Sequence, residues 1–161
     1  MQIKDRIMAD YILAETEEHF NAARKLITEY AAWLAIDLCF QNFDDELLHL
    51  NRMYAPPSGG IILCKVQNEY IGCVGIREFS GEVAEMKRLY VVPEHRKKGI
   101  AKRLLEEAED LAKKFNYKKI KLDTLDTMSP AMNLYESNGY LKTTPYYNNP
   151  QPGAVYFEKN I

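Results

Sequence analysis

Between Phe20 and Leu34 the apolar positions Phe20, Ala23, Ile27, Tyr30, Ala31 and Leu34 return at three- and four-residue spacing. That period predicts a helix with one buried face. Thr16, followed by Glu17 and Glu18, marks its start, and Tyr11 to Glu15 reads as a strand ahead of it. A shorter helix is predicted near Asp44 to Leu50, its acids clustered in the first turn where the dipole favours them. The Pro56-Pro57-Ser58-Gly59-Gly60 stretch ends it.

Strands follow. Ile61 to Val66 and Tyr70 to Arg77 flank a turn at Gln67-Asn68-Glu69, and Val83 to Val92 is a third strand closed by Pro93. The longest apolar stripe comes next, through Ile100, Ala101, Leu104, Leu105, Ala108, Leu111, Ala112 and Phe115, which predicts four helical turns. Lys118 to Thr124 alternates as a strand, with Ile120 and Leu122 pointing one way. Ser129-Pro130 predicts an N-cap before a proline at the first helical position, and Asn138-Gly139 the end of that helix. Strands near Tyr140 to Thr144 and Ala154 to Lys159 complete an α/β order with a mixed sheet.

The 161 residues make one domain, 1–161, and 47% hydrophobic against 27% charged residues suits a globular chain without a disordered tail. No apolar run approaches the ~20 residues a membrane helix needs, so no membrane partner is expected. Met1 to Arg6 lacks the pattern of a secretory signal. Cys39, Cys64 and Cys73 form no CxxC pair and read as reduced core thiols, which makes a cytoplasmic location the expectation. His19, His49 and His95 lack metal spacing, and no metal is expected.

Charge alters this picture in one place. The net charge is −2, yet Glu85 to Lys121 holds twelve basic and six acidic residues. A basic segment on an acidic body points to a local anionic ligand rather than a long polyanion. Within it lies Val91-Val92-Pro93-Glu94-His95-Arg96-Lys97-Lys98-Gly99-Ile100-Ala101, a strand end, a basic loop and a helix that begins at a glycine. The first amides of a helix have no internal partners and carry the positive end of its dipole, so this is a phosphate site or a plain basic connector. The Walker pattern is absent, and one glycine is too few for a dinucleotide fingerprint. Nucleic acid is not expected as a partner, because the lysines lack interleaved aromatic platforms.

The loop Arg96-Lys97-Lys98-Gly99-Ile100-Ala101 resembles the Arg/Gln-x-x-Gly-x-Gly/Ala motif of the GNAT superfamily of N-acetyltransferases. Ala131-Met132-Asn133-Leu134-Tyr135-Glu136-Ser137-Asn138-Gly139-Tyr140 is similar to that family's later signature, and the element order is the family's. Met86 to Val91 and Pro145 to Pro150 resemble a branch with poorly defined substrates. Two departures stand out. Lys97 replaces a usual glycine, and Met128 occupies a position where many relatives carry asparagine.

The resemblance implies a mixed, mostly antiparallel sheet of six or seven strands flanked by about four helices. It also implies acetyl-CoA as co-substrate and direct attack by a primary amine. Leu89 and Val91 would pair with pantetheine, and the Leu89 amide would stabilise the oxyanion. The amides of Lys98, Gly99, Ile100, Ala101 and Lys102 would hold pyrophosphate, with Arg96 and Lys97 alongside. Tyr135 would protonate the departing thiolate, unless it is one more core aromatic.

Glu85 is the candidate base. It lies four residues before Leu89 on one strand, hence on the same face and ~13 Å away. Glu82 is its rival. Tyr30, Trp33, Phe40, Gln41, Tyr146, Tyr147 and Asn148 are the candidate acceptor contacts. A small-molecule amine is the expected acceptor, on a monomer or homodimer. A protein acceptor and a non-catalytic acyl-CoA module remain as alternatives.

Overall fold

The computed structural model describes residues 8–161, and the reading of Met1 to Arg6 lies outside them. Seven strands form one sheet in the order β1-β2-β3-β4-β5-β7-β6. They are β1 (Ala9–Leu13), β2 (Gly60–Val66), β3 (Glu69–Ser80), β4 (Val83–Val91), β5 (Lys119–Leu125), β6 (Leu141–Thr143) and β7 (Ala154–Asn160). Every pairing is antiparallel except β4 with β5.

Among the described residues five α-helices flank the sheet: α1 (Glu17–Leu34), α2 (Phe43–Leu48), α3 (Leu50–Met53), α4 (Ile100–Lys114) and α5 (Ser129–Ser137). The count exceeds the expected four because His49, at φ −125°, breaks the second helix into two short pieces. Thr16 caps α1 as predicted. Its hydroxyl accepts from the His19 N–H, while His19 Nδ1 lies 3.4 Å from the Thr16 N–H, a reciprocal capping box. At α5 the cap is displaced. Met128 takes that position without a side-chain bond, and Ser129 is the first helical residue.

Each sheet face carries its own core. On one face α4 buries Ile100, Leu104, Leu105, Ala108, Leu111 and Ala112 against Ile62, Ile76, Met86 and Ile120. Each fully buried leucine there contributes roughly 1.5–3 kcal/mol. On the other face α1 and α3 pack Ala23, Leu26, Ile27, Leu50 and Tyr54 against Ile61, Leu63 and Cys73. Tyr30 and Leu34, predicted for the buried face of α1, are only half-buried and border a cavity instead. Among the cysteines, Cys64 and Cys73 are buried core thiols, but Cys39 is exposed, contrary to expectation.

Two irregularities in β4 shape the site. β4 and β5 pair only at Val83↔Lys119, Ala84↔Ile120 and Glu85↔Lys121, after which they diverge. On the other side, Cys73↔Tyr90 is followed by Gly75↔Lys87, so β4 spends one extra residue in a bulge. Arg88 lies there at φ +61°, a left-handed conformation costly for a residue with a Cβ. A bulge resets the alternation of side chains. Ala84, Met86, Leu89 and Val91 therefore face the α4 core, while Tyr90 faces the α1 core. Glu85 and Leu89 consequently lie on opposite faces, and the four-residue argument that put them together does not hold.

Candidate active site

The bulge is fastened from beneath. Arg88 donates through Nε to Glu46 Oε2 at 2.9 Å, with Nη2 2.7 Å from the same oxygen, and Tyr54 donates its hydroxyl to Glu46 Oε1. All three side chains are buried. Tyr54 lies flat against the sheet because Gly75 has no side chain. A Cβ there would come within 2.7 Å of the Tyr54 ring.

Where β4 and β5 part, a cavity of about 620 Å³ opens between them. β4 from Met86 to Val91 forms one wall, Asp123 to Leu125 with Ala131, Leu134 and Tyr135 the other, and the end of α1 the roof. The loop before α4 forms its mouth.

At that mouth the backbone is receptive to an anion. The Arg103 N–H reaches Gly99 O at 3.1 Å, the first main-chain bond of the α4 amides. Among the described residues, the N–H groups of Lys97 through Lys102 meet no backbone acceptor, and no side chain caps the helix. Gly99 has φ +81°, and nothing lies within 4 Å of where a Cβ would stand. Lys97 is also left-handed, at φ +61°, which accounts for the glycine usual at that position. His95 borders the cavity, and its buried Nδ1 has no partner among the described residues.

Arg96 is held in place. It donates through Nε to Val91 O at 2.8 Å, and its guanidinium lies 4.4 Å from the Trp33 ring centroid and 5.6 Å from that of Tyr90. Trp33, 47% exposed, is thus neither a core residue nor part of the inner acceptor region; it packs the arginine at the mouth. Val92 donates its N–H to Ile71 O, so alternation turns the peptide groups of Val91 and Leu89 toward the gap.

Deeper in, Tyr135 packs its ring against Tyr140 and Phe157 at centroid distances of 5.8 and 5.7 Å while bordering the cavity. Among the described residues nothing bonds its hydroxyl, and burial raises its pKa well above the ordinary phenol value. Tyr30 lies nearby, its phenol pushed up to about 12 by burial. Met128 accepts a weak bond at Sδ from the Thr124 hydroxyl, 3.6 Å away.

The inner end is polar. Asp123 Oδ2 accepts from the Tyr147 hydroxyl and from Asn149 Nδ2 at 2.9 Å, and Gln41 Nε2 donates to Tyr147 at 2.9 Å. Lys87 donates to Gln41 Oε1 at 3.3 Å. Burial pulls its ammonium below the ordinary lysine value, and Glu85 partly offsets that.

Of the predicted acceptor contacts, Tyr30, Trp33 and Gln41 border the cavity. Tyr147 joins through its bonds to Gln41 and Asp123. Tyr146 and Asn148 line a shallower outer depression instead, and the Phe40 side chain lies outside the described residues.

Glu85 is not a wall of this cavity. Arg77 donates to its Oε1 through Nε and Nη2 at 3.1 and 3.0 Å, and Tyr146 donates to Oε2 at 2.8 Å. Glu82 is exposed beside the Ser80-Gly81 turn. Sequence reasoning missed Asp123, Asn149, Lys87 and His95. Asp123 could have been found on the polar face of its alternating strand; the others carried no signal of their own.

A sheet splayed around a cavity, with an anion-receptive helix start at its mouth, defines an acyl-transferring enzyme once the sequence comparisons are added. The chain belongs to the acetyltransferase (GNAT) family, whose sequence model matches residues 20–140, and it is an N-acetyltransferase. It is 42% identical over 135 residues to an uncharacterized N-acetyltransferase of Schizosaccharomyces pombe, covering 83% of each chain. A structure from Klebsiella pneumoniae, assigned as an acyl-CoA N-acyltransferase, is 26% identical with TM-score 0.75, covering 96% of this chain and 98% of that one. The PaiA N-acetyltransferase of Thermoplasma acidophilum, solved with coenzyme A, shares the fold with TM-score 0.70 at 18% identity, covering 94% and 99%. No helix of the described residues is long and apolar enough to cross a membrane.

Proposed function

We propose that this protein transfers an acetyl group from acetyl-CoA to the primary amine of a small molecule. The observation that carries this reading is the run of N–H groups from Lys97 to Lys102 that find no acceptor among the described residues, at the mouth of a gap that leads inward to Tyr135. The residues present fit the cofactor: oriented amides for a diphosphate, an open approach at Gly99, and an orphaned ring nitrogen on His95. Bound there, acetyl-CoA supplies an activated thioester.

The chain's own groups then divide the work. Leu89 offers its peptide groups and Val91 its N–H along the open edge of β4, while the Val91 carbonyl is held by Arg96. The Leu89 N–H receives negative charge developing on the carbonyl oxygen, where a fixed donor is worth several kcal/mol. As the amine nitrogen bonds to the acetyl carbon, the carbon–sulfur bond breaks and the Tyr135 hydroxyl gives its proton to the sulfur. The phenol is protonated across neutral pH, as an acid requires; burial raises its pKa further, so donation is driven by the negative charge that develops on the departing sulfur beside it.

Proton acceptance falls to Asp123. Its Oδ1 has no partner among the described residues, and it borders the cavity. Glu85 is already engaged by Arg77 and Tyr146, and it positions the strand instead. Enclosure by the end of α1 favours a small acceptor over a protein segment. The deciding experiment is an acceptor screen across amino acids, polyamines, aminoglycosides and peptides, read as free thiol release. Release above the hydrolytic background with a small amine is expected, and release with peptides alone would overturn the small-molecule reading.

A further inference from the structure

Among the described residues, Glu46, Arg77, Glu85, Lys87, Arg88 and Asp123 gather on the α1 face at the point where β4 and β5 separate, beside Lys121, which Glu158 approaches at 3.9 Å. Four are matched. Arg88 takes Glu46 at 2.7 Å and Arg77 takes Glu85 at 3.0 Å. The remaining two are opposite in sign and stand opposite each other. The last paired residues of the two parallel strands are Glu85 and Lys121, so Lys87 and Asp123, each two residues further on, face one another across the opening.

No ion pair joins them among the described residues, and both border the cavity. The Lys87 side chain is 5% exposed, yet among the described residues its ammonium has only a 3.3 Å bond to Gln41 and a 3.9 Å approach to Glu85, a carboxylate already held by Arg77. A buried ammonium has three donors to satisfy and is costly to leave so thinly partnered. Asp123 has one oxygen taken, and among the described residues nothing bonds the other.

We propose that the acceptor is a free amino acid or a close analogue, its amino group received by Asp123 and its carboxylate by Lys87. This rests on the amine-acetylation reading and narrows it. The pair would hold a zwitterion in one orientation, its nitrogen directed away from the lysine. Gln41, bonded to Lys87 on one side and to Tyr147 on the other, sets the spacing between the two charges.

The test compares L-amino acids with their α-amides and their decarboxylated amines on the wild-type enzyme, both as acceptors and as ligands of the coenzyme A complex by calorimetry. At least one amino acid should exceed its amide and its amine by 10-fold or more in kcat/KM and in affinity. Equal or better handling of the carboxylate-free partners across the set, or no amino acid binding, would overturn the proposal. Binding with that preference but without thiol release would instead overturn acetyl transfer and leave the zwitterion site standing. Lys87→Met should collapse the ratio between amino acid and amide to within about 3-fold, with coenzyme A affinity as the check on folding. A ratio that persists would remove Lys87 from the site.

Discussion

The two ends of the cavity are made of different materials. The mouth is built almost entirely of backbone, from one stretch of six residues whose amides have nowhere else to go. The inner end is built of side chains drawn from α2, the segment after α1, β4, β5 and the loop before β7, tied by charged hydrogen bonds. A backbone site tolerates most substitutions because its donors belong to every residue but proline. A side-chain site fails when one member is lost, and the same dependence allows it to discriminate between acceptors.

The sharpest way to break the inner end is through its foundation. Glu46→Gln would leave Arg88 as a buried cation without its partner, in a strand already bent into a left-handed residue there. Loss of about 3–5 kcal/mol of stability is expected, read as a lower urea midpoint with unchanged m-value. A loss under about 1 kcal/mol would show that the bulge does not depend on this pair. Tyr135→Phe comes next. It should lower turnover ~10²-fold or more, equivalent to about 2.7 kcal/mol, while coenzyme A binding is kept. Unaltered turnover, under conditions where thiol departure limits the rate, would end its role as the acid.

The same division explains what could be read without coordinates. Helix periodicity in α1 and α4, the Thr16 cap and the strands around Gln67-Asn68 depend on neighbours a few residues away, and they appear where expected. The anion-receptive loop was legible for the same reason. Glu85 was misplaced because one added residue at Arg88 reverses the facing of everything beyond it, and nothing local announces a left-handed arginine. Asp123 and Lys87 could not be paired, because their juxtaposition follows from a three-residue parallel register between positions 36 residues apart in sequence. Trp33 was expected among the acceptor contacts; its place over Arg96 depends on how α1 crosses the sheet.

At the mouth, effects should be smaller and should separate by mechanism. Gly99→Val places a β-branched side chain at φ +81°, which costs about 1–2 kcal/mol in strain, and sets it where a phosphate oxygen would approach. Roughly 10-fold weaker coenzyme A binding by calorimetry is expected. Equal affinity would move the diphosphate elsewhere.

Lys97→Gly is the mildest change and the most informative, because its two consequences differ in sign. Lysine at φ +61° carries about 1 kcal/mol of left-handed strain that glycine relieves, although glycine gives back part of this through a more flexible unfolded chain. The net should be a gain of a few tenths of a kcal/mol in stability. Meanwhile one exposed positive charge leaves the edge of the anion site, so coenzyme A affinity should fall about two- to threefold at low salt. At 0.5 M salt that loss should vanish, since an exposed charge is screened while the amides beneath it are not. Should the affinity loss persist at high salt, Lys97 would be holding the phosphate through a direct bond, and the mouth would then share the side-chain dependence of the inner end.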